Sequence, residues 1–82
     1  MRIRLTTEAV EALEKLDTPV QKRILDKLEW FAEQPDPLVF AKPLTGSHGD
    51  YRLRVGMYRI FIRPDGTVLV VLRIKKRSEA YR

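Results

Sequence analysis

Arginine alternates with apolar residues in the segment from Tyr51 to Arg63. Alternation with a period of two is typical of a β-strand that packs on one face and meets solvent on the other. The solvated face would then carry a row of guanidinium groups, which stay charged at all physiological pH values and bind phosphate through two parallel hydrogen bonds. Such a row points to an anionic partner, with nucleic acid as the first candidate and an acidic protein as the second.

The charge of the chain is distributed unevenly. Residues 1–41 contain six Lys/Arg and eight Asp/Glu, whereas residues 42–82 contain ten and three. The net charge of +5 therefore comes from the C-terminal half, which also holds the alternating segments. This asymmetry predicts one basic surface that attracts anions and steers them toward it.

Length and composition limit the class of protein. The 82 residues suffice for one domain, and 44% hydrophobic residues indicate a folded chain rather than a disordered one. No cysteine is present, and His48 is the single histidine, so we expect neither disulfides nor a metal site, and no cofactor. No apolar run reaches the length of a membrane span, and the N-terminus lacks a signal-peptide core, which favours a soluble cytoplasmic protein.

Helix and strand signals follow one another in a clear order. Residues 2–5 predict a short first strand, and Thr6 followed by Glu8 is a helix start, with an end expected near residues 16–17. Thr18-Pro19 predicts the start of a second helix that stops before Pro35-Asp36-Pro37. The apolar stripes expected to face the core are Val10, Leu13 and Leu16, with Ala9 and Ala12 beside them, in the first helix and Ile24, Leu25, Leu28, Phe31 and Ala32 in the second.

Trp30 and His48 are open to two interpretations each. Trp30 falls off the apolar stripe, which favours packing on the helix flank or under the following loop, and a partner-facing aromatic is the alternative. Residues 38–50 are rich in Pro, Gly and small polar residues and predict an irregular loop, with Leu44 tucked into the core. His48 in this loop is expected at an exposed tip, with a role at a substrate phosphate as the alternative.

Three strands are predicted after the loop. Residues 51–55 and 58–63 are joined by a tight reversal at Gly56-Met57, and Pro64-Asp65-Gly66 turns the chain into a strand over residues 68–74. That last strand is apolar on both faces, which suits a central position. The expected fold is α+β: an N-terminal strand and an antiparallel helical hairpin are followed by a three-stranded antiparallel meander, which forms one mainly antiparallel sheet with the helices on one face.

Several of these motifs together resemble one protein family. The chain contains Lys-Pro-Leu-Thr-Gly at residues 42–46, Tyr-Arg-Leu-Arg-Val-Gly at 51–56, Tyr-Arg-Ile at 58–60 and Lys-Lys-Arg-Ser-Glu-Ala-Tyr at 75–81. In this order the sequence resembles the RelE/ParE superfamily of toxins from type II toxin–antitoxin systems, over nearly its whole length. The resemblance is closer to the RelE branch, which implies a ribosome-dependent mRNA endoribonuclease that is neutralised by an antitoxin.

The resemblance also implies which residues act on the substrate. It implies that cleavage proceeds by attack of a 2′-hydroxyl on the adjacent phosphate, without a metal. The residues that match catalytic positions are Arg52, Arg54, Arg59, Arg77 and Tyr81. Lys42, Arg63, Arg73, Lys75 and Lys76 are further expected RNA-binding residues, and Lys75 or Lys76 is an alternative to Arg77 at the catalytic position in the tail. Tyr81 would stack on or orient a substrate base.

One departure concerns the general base. Some family members have lysines where this chain has Arg52 and Arg54, and an arginine cannot readily give up a proton. Tyr81, and with lower weight Glu79, are left as candidates. Two other functions therefore stay open: a ParE-like inhibitor of DNA gyrase, and a non-catalytic relative that binds RNA or protein.

Overall fold

The fold is built on a mixed five-stranded sheet. The computed structural model describes the backbone of residues 1–46 and 49–80 and the side chains of residues 1–46 and 49–78. The elements follow the order β1 (Arg2–Leu5), α1 (Thr7–Glu14), α2 (Thr18–Glu33), a 3₁₀ turn (Pro37–Phe40), β2 (Lys42–Pro43), β3 (Tyr51–Val55), β4 (Tyr58–Asp65), β5 (Val68–Lys76) and α3 (Arg77–Ala80). The strands lie in the order β1-β5-β4-β3-β2.

The predicted meander is confirmed. Strands β3, β4 and β5 pair antiparallel, and β1 joins the free side of β5 in parallel. The central position of β5 explains why its sequence is apolar on both faces. Gly56 and Gly66, with φ of 56° and 60°, make the two reversals of the meander, because glycine adopts this left-handed backbone without a Cβ penalty.

Helices α1 and α2 lie on one face of the sheet, as expected. The side chain of Thr6 caps α1 by accepting a hydrogen bond of 3.1 Å from the N–H of Ala9. Helix α1 ends at Glu14, two to three residues before the predicted end. The N-cap position of α2 is Asp17 rather than Thr18, and the Asp17 side chain makes no capping hydrogen bond. The Gln21 side chain donates to the carbonyl oxygen of Leu16 at 2.7 Å and closes the short connection between the helices.

The core forms between the helices and the facing side of the sheet. Its buried side chains are Ala9, Leu13, Ile24, Leu28, Phe31 and Ala32 from the helices and Leu53, Val55, Ile60, Ile62, Leu69, Val71 and Ile74 from the strands. Tyr51 and Tyr58 are partly buried and pack against this cluster. Val10 and Leu25 were predicted to be buried, but they are 38% and 41% exposed, because each lies at the rim of its helical stripe rather than over the sheet.

The connection after α2 is more regular than predicted. It contains the 3₁₀ turn and the two-residue strand β2, which extends the sheet beside β3. Trp30 lies on the flank of α2, where its ring meets the ring of Phe40 edge-to-face at 5.0 Å and Lys27 lies 4.3 Å from its centroid. Trp30 thus packs against the loop, although it stays 40% exposed. Leu44 is half-buried and lies outside the main core cluster.

None of the helices in the described ranges is long and apolar enough to cross a membrane.

Candidate functional site

The face of the sheet opposite the helices carries the predicted arginines. Residues paired across neighbouring strands point to the same side of a sheet. Arg54 on β3 pairs with Arg59 on β4, which pairs with Lys75 on β5. These three side chains form a transverse row, which we call the first cationic row, on strands spaced about 4.8 Å apart. The register therefore brings together three cations, of which the first and last, Arg54 and Lys75, are 21 positions apart in the sequence.

A second cationic row runs beside the first. It consists of Lys42, Arg52, Phe61 and Arg73, paired in that order across β2, β3, β4 and β5. The guanidinium carbon of Arg73 lies 5.4 Å from the centroid of the Phe61 ring, a cation–π contact that fixes its position. The half-buried ring of Phe61 offers an apolar surface between two cations, which is a suitable platform for a nucleic-acid base.

A β-bulge places the cations of β5 on this face. Phe61 pairs with Arg73 whereas Ile62 pairs with Val71, so Leu72 is an extra residue in β5. Without this extra residue, every side chain after Val71 would point to the other face. The bulge therefore puts Arg73 and Lys75 on the cationic face and keeps Ile74 in the core. The sequence gives no clear signal of the bulge, because β5 is apolar on both faces.

Arg59 differs from its neighbours in burial. It is 2% exposed, whereas Arg54 is exposed and Lys75 is half-buried. Helix α3 follows β5 directly and contacts both β4 and β5, and its first N–H, from Arg77, donates to the carbonyl oxygen of Met57 at 2.6 Å. In this conformation the predicted phosphate-binding arginine is enclosed, and a substrate would reach Arg54 and Arg52 first.

Arg63 is held by a buried carboxylate that the sequence did not reveal. Its Nε donates to Oδ1 of Asp50 at 2.6 Å, and a terminal nitrogen donates to Oδ2 at 3.1 Å. The Asp50 side chain is 8% exposed and that of Arg63 is 54% exposed. The hydrogen bond and then the charge of Asp50 raise the pKa of Arg63. This pair clamps the start of β3 to β4, and the only signal in the sequence is an acid directly before an arginine-bearing strand.

The remaining predicted site residues fall elsewhere. Lys76 pairs with Tyr58 and so points to the side of the helices, where it lines a groove of about 470 Å³ between α1 and β5. Arg77 is exposed at the start of α3. His48 and Tyr81 lie outside the described residues, and so does the side chain of Glu79. The structure therefore unites Arg52, Arg54, Arg59, Arg73, Lys42 and Lys75, and separates Lys76 from them.

Comparison with known proteins decides the family. A sequence model described as ParE toxin of type II toxin-antitoxin system, parDE, matches residues 3–81. The chain belongs to this toxin family, within the RelE/ParE superfamily. It is thus a toxin of a type II toxin–antitoxin system, as the motifs predicted. No curated protein sequence matches it significantly.

Solved structures of RelE toxins share the fold of this toxin. The RelB–RelE complex of Methanococcus jannaschii is 26% identical with a TM-score of 0.76, over 94% of this chain and 93% of that one. A RelBE complex of Mycobacterium tuberculosis is 30% identical with a TM-score of 0.76, over 94% and 91%. The chromosomal ParDE system of Pseudomonas aeruginosa shares the fold alone, with 18% identity and a TM-score of 0.71 over 93% and 95%.

Proposed function

We propose that this toxin is an endoribonuclease that cleaves mRNA on the ribosome. The observation that carries the proposal is the register of β3, β4 and β5, which aligns Arg54, Arg59 and Lys75 in one row beside a second row with Arg52 and Arg73. An inhibitor that acts only by binding a protein does not require cations aligned across three strands. A reaction that builds charge on a phosphate does.

The reaction would proceed by transesterification. The 2′-hydroxyl loses its proton and its oxygen forms a bond to the adjacent phosphorus, while the bond from phosphorus to the 5′-oxygen breaks. The products are a 2′,3′-cyclic phosphate and a 5′-hydroxyl end, and the 5′-oxygen takes up a proton. The pentacoordinate intermediate carries two negative charges, which guanidinium groups stabilise through charge-assisted hydrogen bonds. Arg54 and Arg59 are the residues placed for this task.

Proton transfer needs a group that can exchange its proton. Among the three residues of the first cationic row, Lys75 alone has this property, since a lysine can act as a general acid or base and an arginine cannot. Lys75 is half-buried and sits directly opposite Arg59. We therefore assign proton transfer to Lys75, with Tyr81 kept for contact with the substrate base.

The burial of Arg59 adds a conformational step. A side chain that is 2% exposed cannot contact an external phosphate, so the structure around Arg59 must open when the substrate binds. We propose that α3, which contacts β4 and β5, moves away from these strands. The short α3 is held to the meander at its first residue by the hydrogen bond from Arg77 to Met57. Such a movement makes cleavage dependent on a fully formed complex.

The partners follow from the proposed activity. RelE toxins of related structure are described in complex with RelB antitoxins, and we propose a cognate antitoxin for this toxin too. Its other partners would be the ribosomal A site and the mRNA held there, which would place the toxin in the cytoplasm.

A gyrase-directed activity is the second candidate. It is favoured by the family model, which describes ParE toxins and matches residues 3–81. The two cationic rows argue against it, because a toxin that acts on gyrase has no need for a transition-state site for phosphate.

Expression of the toxin without an antitoxin tests the proposal. We expect growth arrest with mRNA cut within ribosome-bound codons, mapped at the new 5′-hydroxyl ends, and intact chromosomal DNA. Double-strand DNA breaks with intact mRNA would select the gyrase activity. Normal growth with neither lesion would mean a non-catalytic relative.

A further inference from the structure

The cationic face extends beyond the proposed catalytic rows to the far edge of the sheet. Strand β1 pairs with β5 so that Arg4 lies opposite Val70 and Arg2 lies opposite Val68. Val70 pairs in turn with Arg63. Arg2 and Arg4 thus point to the same side as the two cationic rows, whereas Ile3 and Leu5 pack against the core on the other side.

Both arginines are available to a ligand. Arg2 and Arg4 are exposed, and among the described side chains neither forms an ion pair. Arg4 shares its transverse row with Arg63, whose guanidinium group is tied to Asp50 but still 54% exposed. Arg2 pairs with Val68 on β5, which pairs with Asp65 on β4. Because the carboxylate of Asp65 lies in the same transverse row as Arg2, Arg4 is the stronger of the two anion-binding positions.

The position of Arg4 is too distant for it to join the phosphate bound at Arg59. Four residues along β4 and two strand spacings across the sheet separate the two, which amounts to roughly 17 Å. A ligand that contacts both must therefore carry several anionic groups spaced along a chain. The half-buried valines at positions 68 and 70 form an apolar floor between the edge and the catalytic rows.

The opposite side of the molecule repels such a ligand. The outer surfaces of α1 and α2 expose a larger number of acids than of bases, the acids being Glu8, Glu11, Glu14, Asp17, Asp26, Glu29 and Glu33. A molecule that is basic on the sheet face and acidic on the helical face orients a polyanion toward the sheet before contact.

From these observations we infer that Arg2 and Arg4 bind the phosphate backbone of RNA at a site outside the reaction centre. The inference rests on the proposed endoribonuclease function and adds a second contact to it, which anchors RNA along the sheet from Arg54 to the β1 edge. The mRNA substrate and ribosomal RNA have the same phosphate backbone, so either could be the ligand. The experiment distinguishes them by using a separate probe for each. An RNA contact of this kind changes affinity and salt dependence rather than the chemical step.

Equilibrium binding of the purified toxin as a function of salt tests the inference. The variant R2Q/R4Q removes two cations from the sheet face, and K22Q/R23Q removes two from α2 as a matched control. The RNA probes are a single-stranded oligonucleotide with a 2′-deoxy group at the cleavage site, and vacant small ribosomal subunits. We expect R2Q/R4Q to reduce the slope of log K against log salt by about 1–2 and K22Q/R23Q to leave it unchanged.

The probe that is affected identifies the source of the RNA. A reduced slope with the oligonucleotide supports the inference with mRNA as the ligand, and a reduced slope with the small subunits alone supports it with ribosomal RNA. Equal slopes for the wild type and R2Q/R4Q on both probes would overturn it. Weaker binding of R2Q/R4Q to an antitoxin, with unchanged RNA binding, would overturn it in favour of a protein contact.

This design separates the inference from the proposed function. RNA affinity is measured without cleavage. A wild-type toxin that binds RNA through Arg2 and Arg4 but does not cleave it would therefore refute the proposed endoribonuclease function and leave the RNA-binding inference intact. If the wild type cleaves, single-turnover rates at saturating RNA should be the same for R2Q/R4Q and the wild type, because the change lies in binding.

Discussion

The hydroxyl group of Thr6 donates a hydrogen bond of 2.6 Å to the carbonyl oxygen of Leu72. Leu72 is the extra residue of the β-bulge, and a bulge leaves backbone groups without a partner in the ladder. The same Thr6 oxygen accepts a hydrogen bond from the N–H of Ala9 and caps α1. One side chain thus joins the first helix to the irregularity that puts Arg73 and Lys75 on the cationic face.

Replacement of Thr6 by valine should destabilise the toxin by about 1–3 kcal/mol, because it removes a helix cap and leaves the Leu72 carbonyl without its donor. Thr6→Ser keeps the hydroxyl and should stay close to the wild type. Urea denaturation followed by circular dichroism measures the difference. Thr7→Val is the control, since Thr7 is exposed. Equal losses for Thr6→Val and Thr7→Val would show that the bond to Leu72 adds nothing.

Deletion of Leu72 should abolish the fold. Removing one residue shifts the rest of β5 by one position, so Arg73 and Lys75 would point at the core and Ile74 at the solvent. Leu72→Ala keeps the bulge and trims a half-buried side chain, for which we expect a loss below about 2 kcal/mol. Soluble expression and near-ultraviolet circular dichroism report the outcome. A folded deletion variant with cleavage activity would contradict the role of the bulge.

The sequence alone predicted most of the scaffold because its signals are local. Strands β1 and β3 have their predicted bounds, since strict alternation marks both ends of a half-buried strand. The order of the meander follows from the two glycine reversals. Burial was predicted correctly for residues at the centres of the helical stripes and wrongly for Val10 and Leu25 at their edges. The reason is that periodicity gives the direction of a buried face but not the width of the surface that covers it.

Three features could not be predicted because they depend on tertiary pairing. Strand β2 has two residues, too few to show any periodicity. The bulge at Leu72 is hidden in a strand that is apolar on both sides. The burial of Arg59, which is 2% exposed, arises in the folded sheet, and no local pattern distinguishes Arg59 from the exposed Arg54. The alternation therefore predicted which face of each strand carries the arginines, whereas the pairing of cations across strands and the burial of Arg59 could not be predicted.

The Asp50–Arg63 clamp should contribute to stability independently of pH around neutrality. The pKa of Arg63 is raised by its hydrogen bond to Asp50, so its contribution is complete below the ordinary pKa of arginine and is lost only when the pH rises through the higher folded-state value. Asp50→Asn should lower the melting temperature by a constant amount between about pH 6 and pH 9. Asp65→Asn, at an exposed carboxylate, should leave it unchanged. A difference that varies across this range would assign the effect to another titrating group.

Lys75 should be required for proton transfer rather than for charge alone. Lys75→Arg preserves the cation but removes a group that can exchange a proton, so we expect single-turnover cleavage on the ribosome to fall by about 10²- to 10⁴-fold with unchanged binding. Lys76→Arg, on the other side of the strand, is the matched control and should remain active. Full activity of Lys75→Arg would contradict the assignment of proton transfer and would show that Lys75 contributes only its positive charge.

Arg59 should be the most sensitive position of the first cationic row. Arg59→Ala removes a guanidinium group that would bind the phosphate in the transition state, and loss of one such donor costs about 10²- to 10³-fold in rate. Arg59→Lys keeps a charge without the paired geometry and should recover only part of the activity. Arg23→Ala, on α2, removes the same charge from the helical face and should remain toxic. Growth arrest on expression and single-turnover cleavage provide the two readouts, with circular dichroism and antitoxin binding to verify the fold. A folded Arg59→Ala toxin that still arrests growth and cuts mRNA would refute the assignment of the phosphate site to this row.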